Sequence, residues 1–246
     1  MSIALIILAA GKGTRMKSDL PKVLHEIAGA PMLVHAMKSG ATLEPEKTIV
    51  VAGHGAEYVS TATEAYDETA EVILQTEQLG TAHAVGQAKA TLAGFAGDAL
   101  VLYGDTPFIS PDTLERIIAA REGHDVIALG FEAADPGRYG RLVMDGDSLS
   151  KIVEFKDATD EESAITLCNS GVICAKSDVL FDLIDAVGND NASGEYYLTD
   201  IVEIAQSKGL SATSVTCDES ETLGVNSRVQ LAEADAIFQA KTRIAL

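Results

Sequence analysis

The sequence predicts an α/β fold: a mixed, mainly parallel sheet with helices on both faces and an inserted β-hairpin. Three observations predict it. Short apolar runs without polar alternation recur along the chain, as strands do when both faces of a sheet are covered. Helical stretches alternate with these runs through the first half, which is the βαβα order of a parallel sheet. Past Phe131 that order gives way to two shorter runs around Asp145-Gly146-Asp147, a hairpin turn.

Taken in order, Ile3–Leu8 is the first buried strand. Pro31–Leu43 reads as a helix, with proline at its first turn where a missing N–H costs nothing. Thr48–Ala52 is the second strand, and Thr81–Leu92 is helical. Ala99–Tyr103 is another buried strand. Ser110-Pro111-Asp112 opens a helix running to Arg121, with Ser110 as N-cap. Asp125–Gly130 returns as a strand. Arg141–Met144 and Ser148–Phe155 form the hairpin, and Ser170–Ala175 is apolar again. Val179–Val187 and Tyr196–Lys208 read as helices, and Ala212–Thr216 as a late strand. From Ser227 onward the chain is helical, with Leu231, Ala234, Ile237 and Phe238 on one face. The order is that of a Rossmann-like fold. No Gly/Ser/Pro linker interrupts it, so residues 1–226 are expected to form one domain and 227–246 a C-terminal helical arm. The apolar face of that arm is expected to be exposed, which points to a missing partner or to self-association.

Composition narrows the function. Lys and Arg total 18 against 37 Asp and Glu, a net charge of −19. That balance argues against nucleic acid as a partner, because phosphate backbones need a basic footprint. It leaves room for a small anion, since a local cluster can reverse the sign of the field. No apolar run approaches the ~20 residues of a membrane span. The N-terminus lacks a basic flank and leads straight into glycines, so it reads as a core strand rather than a leader. Cys168, Cys174 and Cys217 form no CxxC pair, which favours reduced thiols and a cytoplasmic location over sulfur-bound metal.

The positive charge is concentrated in "LAAGKGTRMKSDLPKVL", from Leu8 to Leu24, immediately after the first strand. Ligands bind at the carboxyl ends of parallel strands. Ala9, Ala10, Gly11 and Gly13 are small enough for backbone N–H groups to approach phosphate oxygens. Arg15 offers a fixed fork of donors and Lys22 a mobile point charge. The string lacks the third glycine of GxGxxG and has no GxxxxGK[ST], so neither a dinucleotide fingerprint nor a Walker loop accounts for it. As a bare glycine loop it is equally a tight βα turn carrying solvated lysines.

Taken whole, the string resembles the signature of the sugar-nucleotide pyrophosphorylases, close to LAAGxGTRMxSxxPKxL. Within that family the chain is most similar to the uridylyltransferases that make UDP-N-acetylglucosamine. The resemblance implies a nucleotide-diphospho-sugar transferase fold. It also implies a reaction in which UTP and a sugar 1-phosphate give a UDP-sugar and pyrophosphate with Mg²⁺ as cofactor. Leu8, Ala9, Ala10, Gly11 and Gly13 would then hold the nucleotide, while Arg15 and Lys22 hold its phosphates.

The resemblance extends from about Ile3 to Arg228. In QTEQLGTAHA it implies that Gln75, Gln78, Gly80 and Thr81 read uracil; read alone, the segment is a polar strand end leading into an N-cap at Thr81. In YGD it implies contacts from Tyr103 and Gly104 and a metal ligand at Asp105, with Asn226 of GVN as the second ligand. Read alone, Asp105 is a turn-former before Thr106-Pro107. The sugar site implied by the resemblance comprises Gly140, Glu154 and Asn169, with Tyr197 and Thr199 near the sugar phosphate. By patterning alone Glu154 is a hairpin surface charge and the tyrosines of EYYLTD are core residues. Phe155 stands where relatives often have histidine, and no role is assigned to it. The five histidines show no ligand spacing. Another sugar 1-phosphate, another base, or a non-catalytic nucleotide-sugar sensor remain alternatives. Bifunctional members of the family add C-terminal hexapeptide repeats that acetylate glucosamine 1-phosphate and build trimers; neither property is expected of residues 1–246.

Overall fold

The computed structural model describes residues 2–245. The elements, in chain order, begin with β1 (Ile3–Ala9), β2 (Glu26–Ile27), β3 (Ala30–Pro31), α1 (Met32–Ala41), β4 (Lys47–Ala52) and α2 (Ala56–Tyr66). Then come β5 (Glu71–Leu74), α3 (Thr81–Gly86), β6 (Asp98–Tyr103), α4 (Pro111–Ala120), β7 (Val126–Glu132), β8 (Arg141–Asp145) and β9 (Ser148–Val153). The chain continues through α5 (Asp160–Ser163), β10 (Leu167–Lys176), α6 (Ser177–Ile184), α7 (Ile201–Ser207), β11 (Ala212–Cys217) and α8 (Arg228–Ala245).

Every residue of β1 is buried, which is why its sequence carries no polar alternation. It lies near the middle of a sheet ordered β11-β7-β10-β6-β1-β4-β5. Neighbours β6, β1, β4 and β5 run parallel, as do β7 and β11. β10 runs antiparallel between β6 and β7, and the β8–β9 hairpin joins it at Cys168–Arg141. The mixed, mainly parallel sheet and its appended hairpin are therefore as expected. Two hydrophobic layers cover it, one with Ala84, Val85, Leu180 and Ile201, the other with Leu33, Met37, Leu114 and Ile117. At α4 the expected cap is present: the Ser110 hydroxyl accepts the Thr113 N–H at 3.2 Å, with Pro111 following.

Several boundaries differ from expectation. The sequence pattern misses α2, whose buried side chains are Val59 and Thr63 alone, and the four-residue edge strand β5. The helix expected over Thr81–Leu92 ends at Gly86 and continues as a 3₁₀ turn through Lys89. Tyr196 and Tyr197 are not helical. Tyr196 gives its N–H to Leu79 and its carbonyl to the Ala82 N–H, so it is extended against the base loop, and the chain turns helical only from Leu198. Leu231, Ala234 and Phe238 of α8 pack on Ile27, Met32, Phe108 and Val225. The face expected to be exposed is therefore covered from within the chain. Met1 and Leu246, the ends of the two expected domain ranges, lie outside the described residues.

At the far end of the sheet from the site, Arg121 Nε donates to Asp98 Oδ1 at 3.0 Å, and both side chains are buried. Removing one partner strands the other charge in the interior. Asp98→Ala is expected to cost about 3–5 kcal/mol in urea unfolding without moving any residue of the nucleotide loop.

Candidate active site

The carboxyl ends of β1 and β6 are joined where the Gly104 N–H donates to Leu8 O at 2.9 Å. From this edge the loop after β1 swings out and returns through Pro21 and Lys22. Gly13 has φ +57°, and a Cβ there would stand 2.6 Å from Lys22 Cβ. The glycine thus lets the loop close over the lysine stem. Gly13 packs against Lys22 and is not one of the residues lining the pocket beside the cluster.

Lys22 Nζ forms an ion pair with Asp105 and donates to Asn226 Oδ1 at 2.9 Å. Arg15 Nη2 donates to the same Asn226 oxygen at 2.9 Å. The two cations expected to bind phosphates, and the two oxygen donors expected to bind metal, form one cluster. The Val225 N–H gives the backbone reason by donating to Asp105 O at 3.0 Å, which fastens GVN to YGD. Arg228, which the sequence reading passed over, donates from Nε to Met16 O at 3.2 Å and anchors the 3₁₀ turn that carries Arg15.

Beside the cluster lies a pocket of about 280 Å³. Leu8, Ala9, Ala10 and Gly11 form one wall; Gln75, Gln78, Gly80 and Thr81 form another; Tyr103, Lys22, Asp105 and Glu195 close the rest. Gln78 Nε2 donates to Ala10 O at 3.1 Å, which ties the two walls together. Gly80 has φ +122°, and a Cβ would meet Tyr196 O at 2.5 Å, so only glycine fits. Thr81 is not the N-cap. That position is Gly80, and the Thr81 hydroxyl instead accepts the Leu198 N–H at 2.9 Å. A larger hollow of about 610 Å³ opens beside Asp98 and Arg121, and no residue of the nucleotide loop lines it.

The expected sugar residues gather across Tyr103. Asn169 donates its backbone N–H to Gly140 O at 2.9 Å and accepts the Gly171 N–H on Oδ1 at 3.0 Å. Gly171 has φ +95°, with its Cβ position 2.7 Å from the Tyr103 ring, so the tyrosine lies flush against this turn. Thr199 donates its hydroxyl to Glu154 Oε1 at 3.1 Å. Glu154 is therefore no surface charge: burial pushes its carboxyl up, and the Thr199 bond only partly offsets this. Tyr197 and Glu154 line a smaller recess with Phe155 and Arg138, the guanidinium standing 5.9 Å above the Phe155 ring. Burial first, then the Glu154 and Asp105 carboxylates, push the Tyr103 phenol up, so it stays neutral between the two halves of the site.

Asp200, one residue past Thr199, was not foreseen. Burial and then the nearby Glu154 carboxylate raise it to about 6 from 3.8. The folded chain therefore prefers this group protonated. Its stabilising contribution is full below about pH 4 and is lost as pH rises through about 6. Asp200→Asn is expected to melt above the parent at pH 8 and level with it at pH 4, as measured by calorimetry.

The oxygens of Asp105 and Asn226 also bear on a metal. Among the described residues no three His, Cys, Asp or Glu side chains cluster as a metal cage. Magnesium does not need one, since it is held by one or two protein oxygens with phosphates and water completing its shell. Asp105 and Asn226 are hard oxygen donors that already converge on one cation, the Lys22 ammonium. The pair fits such an ion.

Residues 5–168 match the family model described as the MobA-like NTP transferase domain. The chain belongs to that family. The family, as its description states, is one of NTP transferases. It is 69% identical over 246 residues to the bifunctional protein GlmU of Ruegeria pomeroyi, covering 100% of this chain and 55% of that protein. It is 65% identical over 244 residues to GlmU of Cereibacter sphaeroides, covering 99% of this chain and 54% of that protein. The chain thus spans about half the length of these curated relatives. Among solved structures, a UDP-glucose pyrophosphorylase complexed with UDP-glucose superimposes with a TM-score of 0.78 over 98% of this chain and 100% of that one, at 18% identity. That likeness establishes the nucleotidyltransferase fold. No helix among the described residues of this family member is long and apolar enough to cross a membrane.

Proposed function

We propose that the chain transfers a uridylyl group from UTP to N-acetylglucosamine 1-phosphate, giving UDP-N-acetylglucosamine and pyrophosphate. The observation that carries this reading is the convergence of Arg15, Lys22, Asp105 and Asn226 on one point beside the pocket. The identity to GlmU proteins supports the choice of substrates.

The chemical problem is repulsion. An anionic sugar phosphate must reach a triphosphate, and each pair of unit charges at ~4 Å costs about 1 kcal/mol in water and more where water is excluded. The phosphate oxygen is already a nucleophile, so no residue need act as general base. It attacks the α-phosphorus, the bond to the bridging oxygen of the β-phosphate breaks, and pyrophosphate leaves. Arg15 and Lys22 take up the charge that develops on the leaving group. Gln75, Gln78 and Gly80 orient the base. Glu154, Asn169 and Gly140 orient the sugar through its hydroxyls and N-acetyl group, leaving unpaired polar groups when a wrong sugar enters. Asp105 and Asn226 would hold magnesium, which neutralises phosphate oxygens when bound.

We place the protein in the cytoplasm, where Cys168, Cys174 and Cys217 stay free thiols. Self-association through α8 would have to use residues other than Leu231, Ala234 and Phe238. The test is a panel of the four NTPs against several sugar 1-phosphates, read as pyrophosphate release with magnesium present. The expected leader is UTP with N-acetylglucosamine 1-phosphate. Faster turnover of another pair would reassign the substrates.

A further inference from the structure

Gln75 directly follows β5 and is 4% exposed. Its backbone N–H donates to Ala52 O at 2.7 Å, which fixes where the side chain starts. Its amide Nε2 lies 3.2 Å from Gly80 O and 3.0 Å from His83 Nδ1. A carbonyl oxygen can only accept, so the amide edge facing Gly80 must be the NH₂. One of its hydrogens goes to Gly80 O and the other to His83 Nδ1, which is therefore the bare ring nitrogen. A neutral imidazole then carries its proton on Nε2. Gln87 closes that side of the ring. It donates to the His83 carbonyl at 3.0 Å, and its amide nitrogen stands 3.2 Å from His83 Nε2. The ring has one lone pair to give: Gln87 is half-exposed and already held by the His83 carbonyl, whereas the second amide hydrogen of the buried Gln75 has His83 Nδ1 as its acceptor, so the lone pair goes to Gln75.

Both amide hydrogens of Gln75 are thus spent inside the protein. Its Oε1 bonds no other described residue and is not among the fully buried unpartnered atoms, and Gln75 is one of the residues that line the pocket. Gln75 meets the base as an acceptor alone. Uracil presents a ring N3–H to such an atom, whereas cytosine presents a lone pair at N3. A glutamine free to turn over could satisfy either.

We propose that His83 is a positioning residue for base selection: by taking one Gln75 amide hydrogen it locks Gln75 as an acceptor and so favours uracil over cytosine. The inference rests on the reading of this pocket as the base site. It assigns a role to a side chain that touches no substrate and acts only through Gln75.

The test compares kcat/KM for UTP and CTP, with N-acetylglucosamine 1-phosphate and magnesium, in the parent chain and two variants. In His83→Leu the ring's acceptor is gone and its volume roughly kept. The UTP/CTP ratio is expected to fall about five- to tenfold, the worth of one hydrogen bond, through a higher KM for UTP with kcat little changed. His83→Asn, whose side-chain oxygen can stand near the place of Nδ1, is expected to recover most of the ratio. An unchanged ratio in a folded, active His83→Leu protein overturns the proposal and leaves the enzymatic reading intact. A parent chain that turns over no NTP overturns both. Independently of any variant, ¹⁵N NMR of the ligand-free parent is expected to show His83 Nδ1 bare and Nε2 protonated. A proton on Nδ1 overturns the assignment.

Discussion

Lys22→Ala is expected to lower kcat by about 10²–10³-fold, the usual loss when a charged donor to the transition state is removed. The stem of Lys22 is clasped by Gly13, and its ammonium touches both Asp105 and Asn226. The loss should fall on kcat more than on KM for UTP, because the charge it meets grows as pyrophosphate departs. Melting should change little, since Lys22 and Asp105 keep side-chain exposures of 14% and 18% and water can solvate the stranded carboxylate. Pyrophosphate release over a range of UTP concentrations separates the two parameters. A variant within threefold of the parent rate would remove Lys22 from the chemistry.

Asp105→Ala has the second large effect. It is expected to lower the rate by about 10²-fold or more and to abolish activation by magnesium, because the carboxylate is the charged member of the donor pair. The readout is the rate as a function of magnesium concentration: a rising curve in the parent and a flat one in the variant. Asp105 and Lys22 are in contact, so the double variant should lose less than the product of the two single losses. Retained magnesium activation in Asp105→Ala would refute the metal assignment.

The nucleotide side of the site is legible in the sequence because its parts are local. Leu8 to Lys22 is one loop leaving one strand, so its small residues and cations are seen together, although alone they fit a tight βα turn equally well and the family resemblance supplies the phosphate reading. The pairing of Asp105 with Asn226 is not legible from spacing. It depends on a single backbone bond, Val225 N–H to Asp105 O, between distant segments, and only the family resemblance anticipates it. Glu154 misleads for a related reason. It follows the last strand residue, Val153, in a stretch rich in charges and so reads as a surface charge, but the turn carrying Thr199 packs against it, leaves it half-buried and gives its carboxylate a hydroxyl partner. The antiparallel sense of β10 cannot be read either, since an apolar run has the same composition in both directions. α2 escapes because its periodic signal is two buried residues long, and Tyr196 is taken for helix because its apolar ring matches a helical face while its backbone is spent on Leu79 and Ala82. His83 and Arg228 act through neighbours rather than on a ligand, so no residue pattern marks them.

The central claim is that the triphosphate sits where Arg15 and Lys22 meet Asp105 and Asn226. Its most direct test is the position of a bound α,β-methylene analogue of UTP, determined crystallographically with magnesium present. The account predicts the base against Gln75, the phosphates along Arg15 and Lys22, and the Lys22 ammonium drawn from Asp105 onto a phosphate oxygen. Phosphates bound on another face, with the Lys22–Asp105 pair undisturbed, would contradict it.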